Sequence, residues 1–239
     1  MKNTIVVAHR GLSCLYPENT LISFRKAMEI GVDIIELDVR ETKDGKIVVI
    51  HDEKVDRTTN GTGYVEELRL DMIRKLDAGE WKGAFKDVKV PTLEETLEIL
   101  DKKTKLLIEI KQADVKKIID IVRKKSVEEK VIIGSFHLKY LIETRKLFPS
   151  LPTAFITLKI PDNIYKLLRW GIQMINIEYH TLTDEIFKTF TEKGFVVNAW
   201  TVDKRKDMEK LISVGIPLIT TNYPDILKKV IRIVRRKKH

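Results

Sequence analysis

The residues best placed to do chemistry are two carboxylates, Glu36 and Asp38, which lie two positions apart in the apolar run 33–39. Side chains at positions i and i+2 of a strand point to the same face. Two adjacent carboxylates in an interior repel each other, and a divalent cation between them removes that repulsion. Glu109, in a second apolar run at 105–110, supplies a third ligand in this interpretation. Three carboxylates suit a hard cation, Mg²⁺, Mn²⁺ or Ca²⁺, better than zinc.

Basic residues and a histidine are predicted to lie beside these carboxylates. His9 and Arg10 directly follow the run 4–8, and Lys111 comes two residues after Glu109. A guanidinium and an ammonium can bind phosphate oxygens, and a histidine can exchange protons with a reacting phosphoester. The structural alternative is that Arg10 and Lys111 only neutralise the carboxylates in a salt-bridge network. The sequence lacks a glycine-rich phosphate loop, which argues against nucleoside triphosphates as substrates.

A second histidine is brought to the same place by a predicted hairpin. Asp44-Gly45 is a strong signal for a two-residue turn. With this turn position 43 faces 46 and position 41 faces 48, so His51 lies opposite Asp38. His137 and His180 also follow predicted strands, and for these two a functional and a structural role stay equally open.

The elements that must position these residues alternate regularly along the chain. Eight apolar runs are predicted as strands, at 4–8, 33–39, 105–110, 131–135, 153–157, 173–178, 195–200 and 217–221. Eight helical patterns follow them, at 18–30, 92–103, 114–126, 137–147, 161–170, 182–193, 204–214 and 223–236. Continuous apolar runs are typical of parallel strands that are covered on both faces. We therefore predict an α/β fold, a TIM-like (β/α)₈ barrel, with active groups at the carboxyl ends of its strands.

Local signals set the boundaries of these elements. Asn19 is the predicted N-cap of the first helix, and Thr92 with Glu95 forms a predicted capping box for the second. We interpret residues 1–239 as one barrel domain. The long connection 40–90 is predicted to hold the hairpin and a small inserted cap, which carries three aromatic residues, Tyr64, Trp81 and Phe85.

Composition narrows the class of protein. The net charge is +9, but seven Lys and Arg residues lie in 228–239, so the remainder carries only +2. This distribution favours a docked basic helix, with weak contact to a membrane surface as an alternative, and no nucleic-acid partner is expected. The single cysteine, Cys14, and the lack of a signal peptide or membrane span predict a cytoplasmic protein. The abundance of Lys, Glu and Ile is typical of thermophile proteins.

At this point the ordered motifs resemble those of the glycerophosphodiester phosphodiesterases. The matching motifs are A-H-R-G at 8–11, P-E-N-T at 17–20, E-L-D-V at 36–39, the K-D-G hairpin that ends in H-D, R-T-T-N-G-T-G at 57–63, E-I-K at 109–111 and A-W-T at 199–201. The resemblance implies a TIM-like barrel with a small insertion. It also implies metal-dependent hydrolysis of glycerophosphodiesters, which are small molecules, to an alcohol and sn-glycerol 3-phosphate.

The resemblance also assigns roles to residues of this chain. It implies metal ligation by Glu36, Asp38 and Glu109, acid–base catalysis by His9 and His51, and substrate-phosphate binding by Arg10, Lys111 and Trp200. One position departs from the family pattern T-D-x-P, because Asn222 stands where an aspartate is common, and its role stays open. Two functional alternatives also stay open: a lysophospholipase D that acts on single-chain lipids, and a catalytically idle barrel that binds phosphate ligands or membranes.

Overall fold

Nine strands and nine α-helices form within residues 4–236, the part of the chain that the computed structural model describes. The strands are β1 (Ile5–His9), β2 (Ile34–Glu41), β3 (Ile47–Val49), β4 (Lys105–Gln112), β5 (Val131–Ser135), β6 (Thr153–Thr157), β7 (Met174–Glu178), β8 (Val196–Trp200) and β9 (Leu218–Thr221). The helices are α1 (Leu21–Glu29), α2 (Leu70–Ile73), α3 (Leu93–Glu98), α4 (Val115–Lys124), α5 (Leu138–Leu147), α6 (Ile164–Arg169), α7 (Asp184–Glu192), α8 (Arg205–Val214) and α9 (Pro224–Arg236).

The strands close into a ring. Its order is β1-β9-β8-β7-β6-β5-β4-β2, and the pairing of β1 with β2 completes it. Every pairing in the ring is parallel, whereas β3 adds to β2 in the antiparallel direction. The predicted (β/α)₈ barrel is therefore confirmed, and each predicted strand ends within two residues of the observed one.

The interior of the barrel has an apolar half and a polar half. An apolar layer fills the amino-terminal half of the ring, formed by Ile5, Val7, Ile34, Leu107, Ile132, Ala154, Met174 and Leu218. Two residues further along β2 and β4, the same inward face carries Glu36 and Glu109, and on β7 it carries Asn176. Because side chains alternate along a strand, the apolar layer supports a polar mouth at the carboxyl ends of the strands.

The helix boundaries confirm one predicted cap and correct another. Thr92 and Glu95 form the predicted capping box of α3. Asn19 is not the N-cap of α1: Thr20 takes that place and accepts a hydrogen bond from the Ser23 amide. Asn19 instead adopts a φ of 56° and turns its side chain towards the barrel, where it donates to Asp38.

The hairpin between β2 and β3 forms with a register one residue away from the prediction. Glu41 pairs with Ile47 rather than with position 48. The loop has three residues, 43–45, because the Thr42 amide donates to the Lys46 carbonyl and Gly45 takes a φ of 72°. The Ile50 amide therefore faces Asp38, and His51 lies one residue beyond the predicted pairing.

The remainder of the long connection, residues 53–90, has a small apolar core of its own. Part of β3 contributes to this core, whose buried members are Val48, Ile50, Val55, Val65, Ile73, Ala78 and Val90. Two of the three predicted aromatics, Tyr64 and Trp81, are more than a third exposed, and the ring of Phe85 contacts Tyr16 at 5.5 Å between centroids. The segment thus touches the β1–α1 connection, which leads to the mouth of the barrel.

The last helix, α9, is amphipathic. Leu227, Val230 and Ile231 are buried, whereas Lys229 and Arg232 are exposed. Residues 237–239 of the basic tail lie outside the described part of the chain. Among residues 4–236, every helix is too short or too polar to cross a lipid bilayer.

Candidate active site

The three predicted carboxylates meet at the carboxyl ends of β2 and β4. Asp38 pairs with Glu109 in the register of these strands, and Glu36 lies two residues before Asp38 on the same face. One oxygen from each carboxylate lies within 4.8 Å of the others. All three side chains are buried. Adjacent parallel strands thus bring together carboxylates that are up to 73 positions apart in the sequence.

The charges in this cluster are not balanced by the protein alone. Burial raises the pKa of Glu36 well above its usual range, and the neighbouring Asp38 and Glu109 raise it further. Burial also raises the pKa of Glu109, to about 7. Burial would do the same to Asp38, but Arg10 and Lys111 outweigh it and lower the pKa of Asp38 to about 2.

One oxygen of each carboxylate is also buried without a hydrogen-bond partner. Oε1 of Glu36 is buried without a hydrogen-bond partner, a costly arrangement for a charged group. A divalent cation would supply the missing positive charge and would accept oxygen ligands of this type. The residues therefore fit a divalent cation, although several ions share this preference for oxygen ligands.

Arg10 and Lys111 extend into the same cluster. Arg10 places Nε 3.1 Å from Asp38 Oδ2, and its backbone amide donates to Glu36 Oε2 at 3.0 Å. Lys111 Nζ lies 2.5 Å from Glu109 Oε1 and 3.3 Å from Asp38 Oδ1. The salt-bridge network, which was the structural alternative for Arg10 and Lys111, is thus present. Both cations also line the cavity at the barrel mouth, where they can reach an anionic ligand.

The turn after β1 needs glycine at position 11. Gly11 has a φ of 85°, and a Cβ there would lie 2.3 Å from Ser23 Oγ and 2.9 Å from the Ser23 backbone carbon. This close approach packs the turn that carries Arg10 against α1. Gly194 offers a matched comparison, because it has a φ of 84° but a Cβ there would meet no atom within 4 Å.

We expect Gly11→Ala to destabilise the protein more than Gly194→Ala. Both variants force an L-residue into the left-handed region, at about 1–2 kcal/mol, and only Gly11→Ala adds a steric clash, at roughly 1–3 kcal/mol. Urea unfolding curves of the two variants measure the difference in free energy of unfolding. Equal destabilisation would show that the contact with Ser23 does not constrain this turn.

His9 is buried beside the carboxylates with its ring orientation fixed. Asn222 donates from Nδ2 to Asp203 at 2.7 Å, so its Oδ1 faces His9 Nδ1, at 2.7 Å. Because that oxygen can only accept, Nδ1 carries the proton, and Nε2 keeps its lone pair, 3.9 Å from Glu36 Oε2. Burial, together with the nearby charge of Arg10, lowers the pKa of His9 to about 4, so the imidazole is neutral at pH 7.

His51 enters the cavity from the segment that follows β3. Its Nδ1 lies 2.6 Å from Asp52 Oδ1. Arg57 donates to Asp52 and, on its other side, to Glu18. Glu18 also accepts a hydrogen bond from Arg10 at 2.8 Å. A continuous chain of charged hydrogen bonds therefore connects the ring of His51 to the guanidinium of Arg10.

These side chains surround one cavity of about 200 Å³. Seven of the eight predicted site residues line it, whereas Asp38, the eighth, is fully buried. Trp200 forms part of the wall and meets Phe136 edge-on, with ring centroids 5.6 Å apart. His137 and His180 do not line the cavity, and His180 instead bonds to Glu178 at the exposed rim.

Sequence reasoning missed several residues that orient or line the site. Asn19 lies in the P-E-N-T motif, whose residue types indicate chiefly the start of the first helix. Asp203 holds Asn222, and Asp52 with Arg57 holds His51. The H-D and R-T-T motifs contain Asp52 and Arg57 and could have indicated them, whereas no local pattern marks Asp203.

Comparisons with known proteins all indicate the same family. The model of the glycerophosphoryl diester phosphodiesterase family matches residues 9–226. A glycerophosphodiester phosphodiesterase of Caldanaerobacter subterraneus subsp. tengcongensis is 39% identical over 238 residues, which cover 96% of this chain and 98% of that protein. A Bacillus subtilis protein with the same name is 36% identical over 251 residues, covering 95% of this chain and 86% of its own length.

A solved structure agrees in fold. The Oleispira antarctica phosphodiesterase in complex with its product sn-glycerol 3-phosphate superposes with a TM-score of 0.92 at 26% identity. The match covers 96% of this chain and 97% of that chain.

Proposed function

The chain belongs to the glycerophosphoryl diester phosphodiesterase family and is a phosphoric diester hydrolase, and we propose that it cleaves glycerophosphodiesters to an alcohol and sn-glycerol 3-phosphate by a metal-dependent, two-histidine mechanism. One observation carries this proposal. The buried cluster of Glu36, Asp38 and Glu109 shares one cavity with His9 and His51. The product bound to the Oleispira antarctica phosphodiesterase supports the same substrate class.

The carboxylate cluster would hold Mg²⁺, Mn²⁺ or Ca²⁺. When bound, such an ion stabilises negative charge on the phosphate oxygens. Arg10 and Lys111 add fixed positive charge at the same rim, so the phosphodiester anion is attracted even before any bond changes. Each of these cations is already paired with a carboxylate, which keeps its side chain in a defined orientation.

The two histidines can divide the proton transfers. His9 is neutral with a free Nε2, so it accepts the proton of the substrate's 2-hydroxyl as that oxygen attacks phosphorus. His51 donates a proton to the departing alcohol. Burial, together with Arg10 and Lys111, lowers the pKa of His51, and a bound phosphate anion offsets those two charges. Water then opens the cyclic phosphate with the roles of the two histidines reversed.

Direct attack by water on the phosphodiester is the competing path. Rapid-quench detection of a cyclic phosphate intermediate separates the two paths.

We expect the protein to release sn-glycerol 3-phosphate from glycerophosphocholine, to lose this activity in EDTA and to regain it with Mg²⁺, Mn²⁺ or Ca²⁺. An enzyme-coupled assay of sn-glycerol 3-phosphate measures the release. Release that persists unchanged after exhaustive chelation would contradict metal dependence. Release of phosphocholine instead would contradict the proposed side of cleavage.

A lysophospholipase D activity is the second candidate. The exposed Tyr64 and Trp81 of the inserted segment favour it, because they could contact a single acyl chain. The exposed basic face of α9 would add weak attraction to an anionic membrane surface. The same assay with lysophosphatidylcholine distinguishes the candidates, since a rate far above that on glycerophosphocholine would favour the lipid substrate.

A further inference from the structure

One polar side chain in the cavity, that of Asn176, has a buried oxygen that accepts no hydrogen bond from the protein. Asn176, on the inward face of β7, is only 2% exposed and lines the cavity. Its Oδ1 is buried without a hydrogen-bond partner. A buried carboxamide without a partner is unfavourable for folding, so its presence needs an explanation outside the packing of the barrel.

The neighbouring strand offers a direct comparison. Asn198 pairs with Asn176 across β7 and β8 and is equally buried. Asn198, however, exchanges hydrogen bonds with Thr220 at 2.9 and 3.0 Å. The side chain of Asn198 on β8 thus has hydrogen-bond partners within the protein. The Oδ1 atom of Asn176, in the same layer of the barrel on β7, has none.

A second unpartnered group faces the same cavity. Trp200 lies two residues beyond Asn198 on β8, and its Nε1 is buried without a hydrogen-bond partner. An indole N–H only donates, whereas a carboxamide oxygen only accepts. A hydroxyl group does both, so one hydroxyl could satisfy the pair. Both strands lie across the ring from β2 and β4, which carry the carboxylate cluster.

We propose that Asn176, together with Trp200, binds the free terminal hydroxyl of the substrate's glycerol unit and so selects glycerol over backbones that lack this group. This inference rests on the proposed function. The phosphate is drawn to Arg10 and Lys111, and the 2-hydroxyl is the attacking group, which leaves the terminal hydroxyl for the far wall. Asn176 lies one residue pair further from the carboxyl ends of the strands than Trp200, because it pairs with Asn198, two residues before Trp200 on β8.

The test compares two substrates on two variants. Glycerophosphocholine has the terminal hydroxyl, and propane-1,2-diol 1-phosphocholine lacks it but keeps the 2-hydroxyl. We expect the unmodified protein to prefer glycerophosphocholine in kcat/KM by at least about tenfold, since sites that hydrogen-bond a hydroxyl discriminate strongly against its absence. Asn176→Leu should reduce this preference to less than about twofold, by lowering kcat/KM for glycerophosphocholine alone.

Ile156→Val is the matched control. Ile156 pairs with Asn176 in the sheet and lines the same cavity, but it has no polar side-chain atom. This variant should keep the preference of the unmodified protein.

Three results would overturn the inference: no preference in the unmodified protein, an unchanged preference in Asn176→Leu, or an equal loss on both substrates. If Asn176→Leu does not fold, Trp200→Phe removes the N–H donor and keeps an aromatic ring, and an unchanged preference there would overturn the inference equally. Failure of the proposed function would give another result: the unmodified protein would then hydrolyse neither substrate.

Discussion

Replacing His9 or His51 with alanine should lower kcat for glycerophosphocholine by about 10²–10⁴-fold each, the usual contribution of a positioned general acid or base. His9 has a fixed proton on Nδ1 and a free Nε2, and His51 is held by Asp52, so both rings are already oriented for proton transfer. Steady-state rates at saturating metal measure the loss.

His180→Ala provides the control for these variants. His180 is exposed, bonds to Glu178 and lies outside the cavity, so its removal should leave the rate unchanged. The double variant of His9 and His51 should lose less than the product of the single losses, because residues that act in one step are not additive. A double variant that keeps activity within about tenfold of the unmodified protein would refute the assignment.

The second large effect is expected from Asp38→Asn. Loss of an outer-shell partner of a metal ligand costs roughly 10–100-fold in metal affinity, so loss of a central ligand should cost more than about 100-fold. Asp38 also balances Arg10 and Lys111, and the neutral amide would leave both cations with less negative charge. Calorimetric titration with Mn²⁺ in the absence of substrate measures the affinity separately from turnover.

Asp71→Asn is a suitable control, because Asp71 is an exposed carboxylate on α2 that pairs with Arg69 and with no member of the cluster. It should bind Mn²⁺ as the unmodified protein does. If Asp38→Asn also retained full affinity, Asp38 would serve only as a counter-ion for Arg10 and Lys111, and Glu36 with Glu109 would have to form the site without it.

The barrel and its carboxylate cluster were predictable because they follow from local periodicity. Apolar runs defined the strands, and the i, i+2 spacing placed Glu36 and Asp38 on one face. Parallel pairing then placed Glu109 beside Asp38, as the register confirms. A regular scaffold thus allows contacts between distant residues to be inferred from two short patterns.

Contacts that depend on a turn or on a single side chain were not predictable. The Asp44-Gly45 signal marked the hairpin, but a three-residue loop rather than a two-residue loop moved the register by one. Asn19 was predicted as a cap because its residue type favours that role, yet its backbone conformation directs it to Asp38. The bond between Asn222 and Asp203 joins two loops and has no counterpart in sequence spacing.

The chain of charged hydrogen bonds from His51 through Arg57 to Arg10 limits how this enzyme can be redesigned. Arg57 belongs to the inserted segment 53–90, which an engineer would otherwise treat as a replaceable addition to the barrel. Such an exchange would also remove the residue that holds Asp52, and through it the ring of His51. A graft that keeps Arg57 would leave the ring of His51 held, whereas one that omits it would loosen that ring and lower turnover.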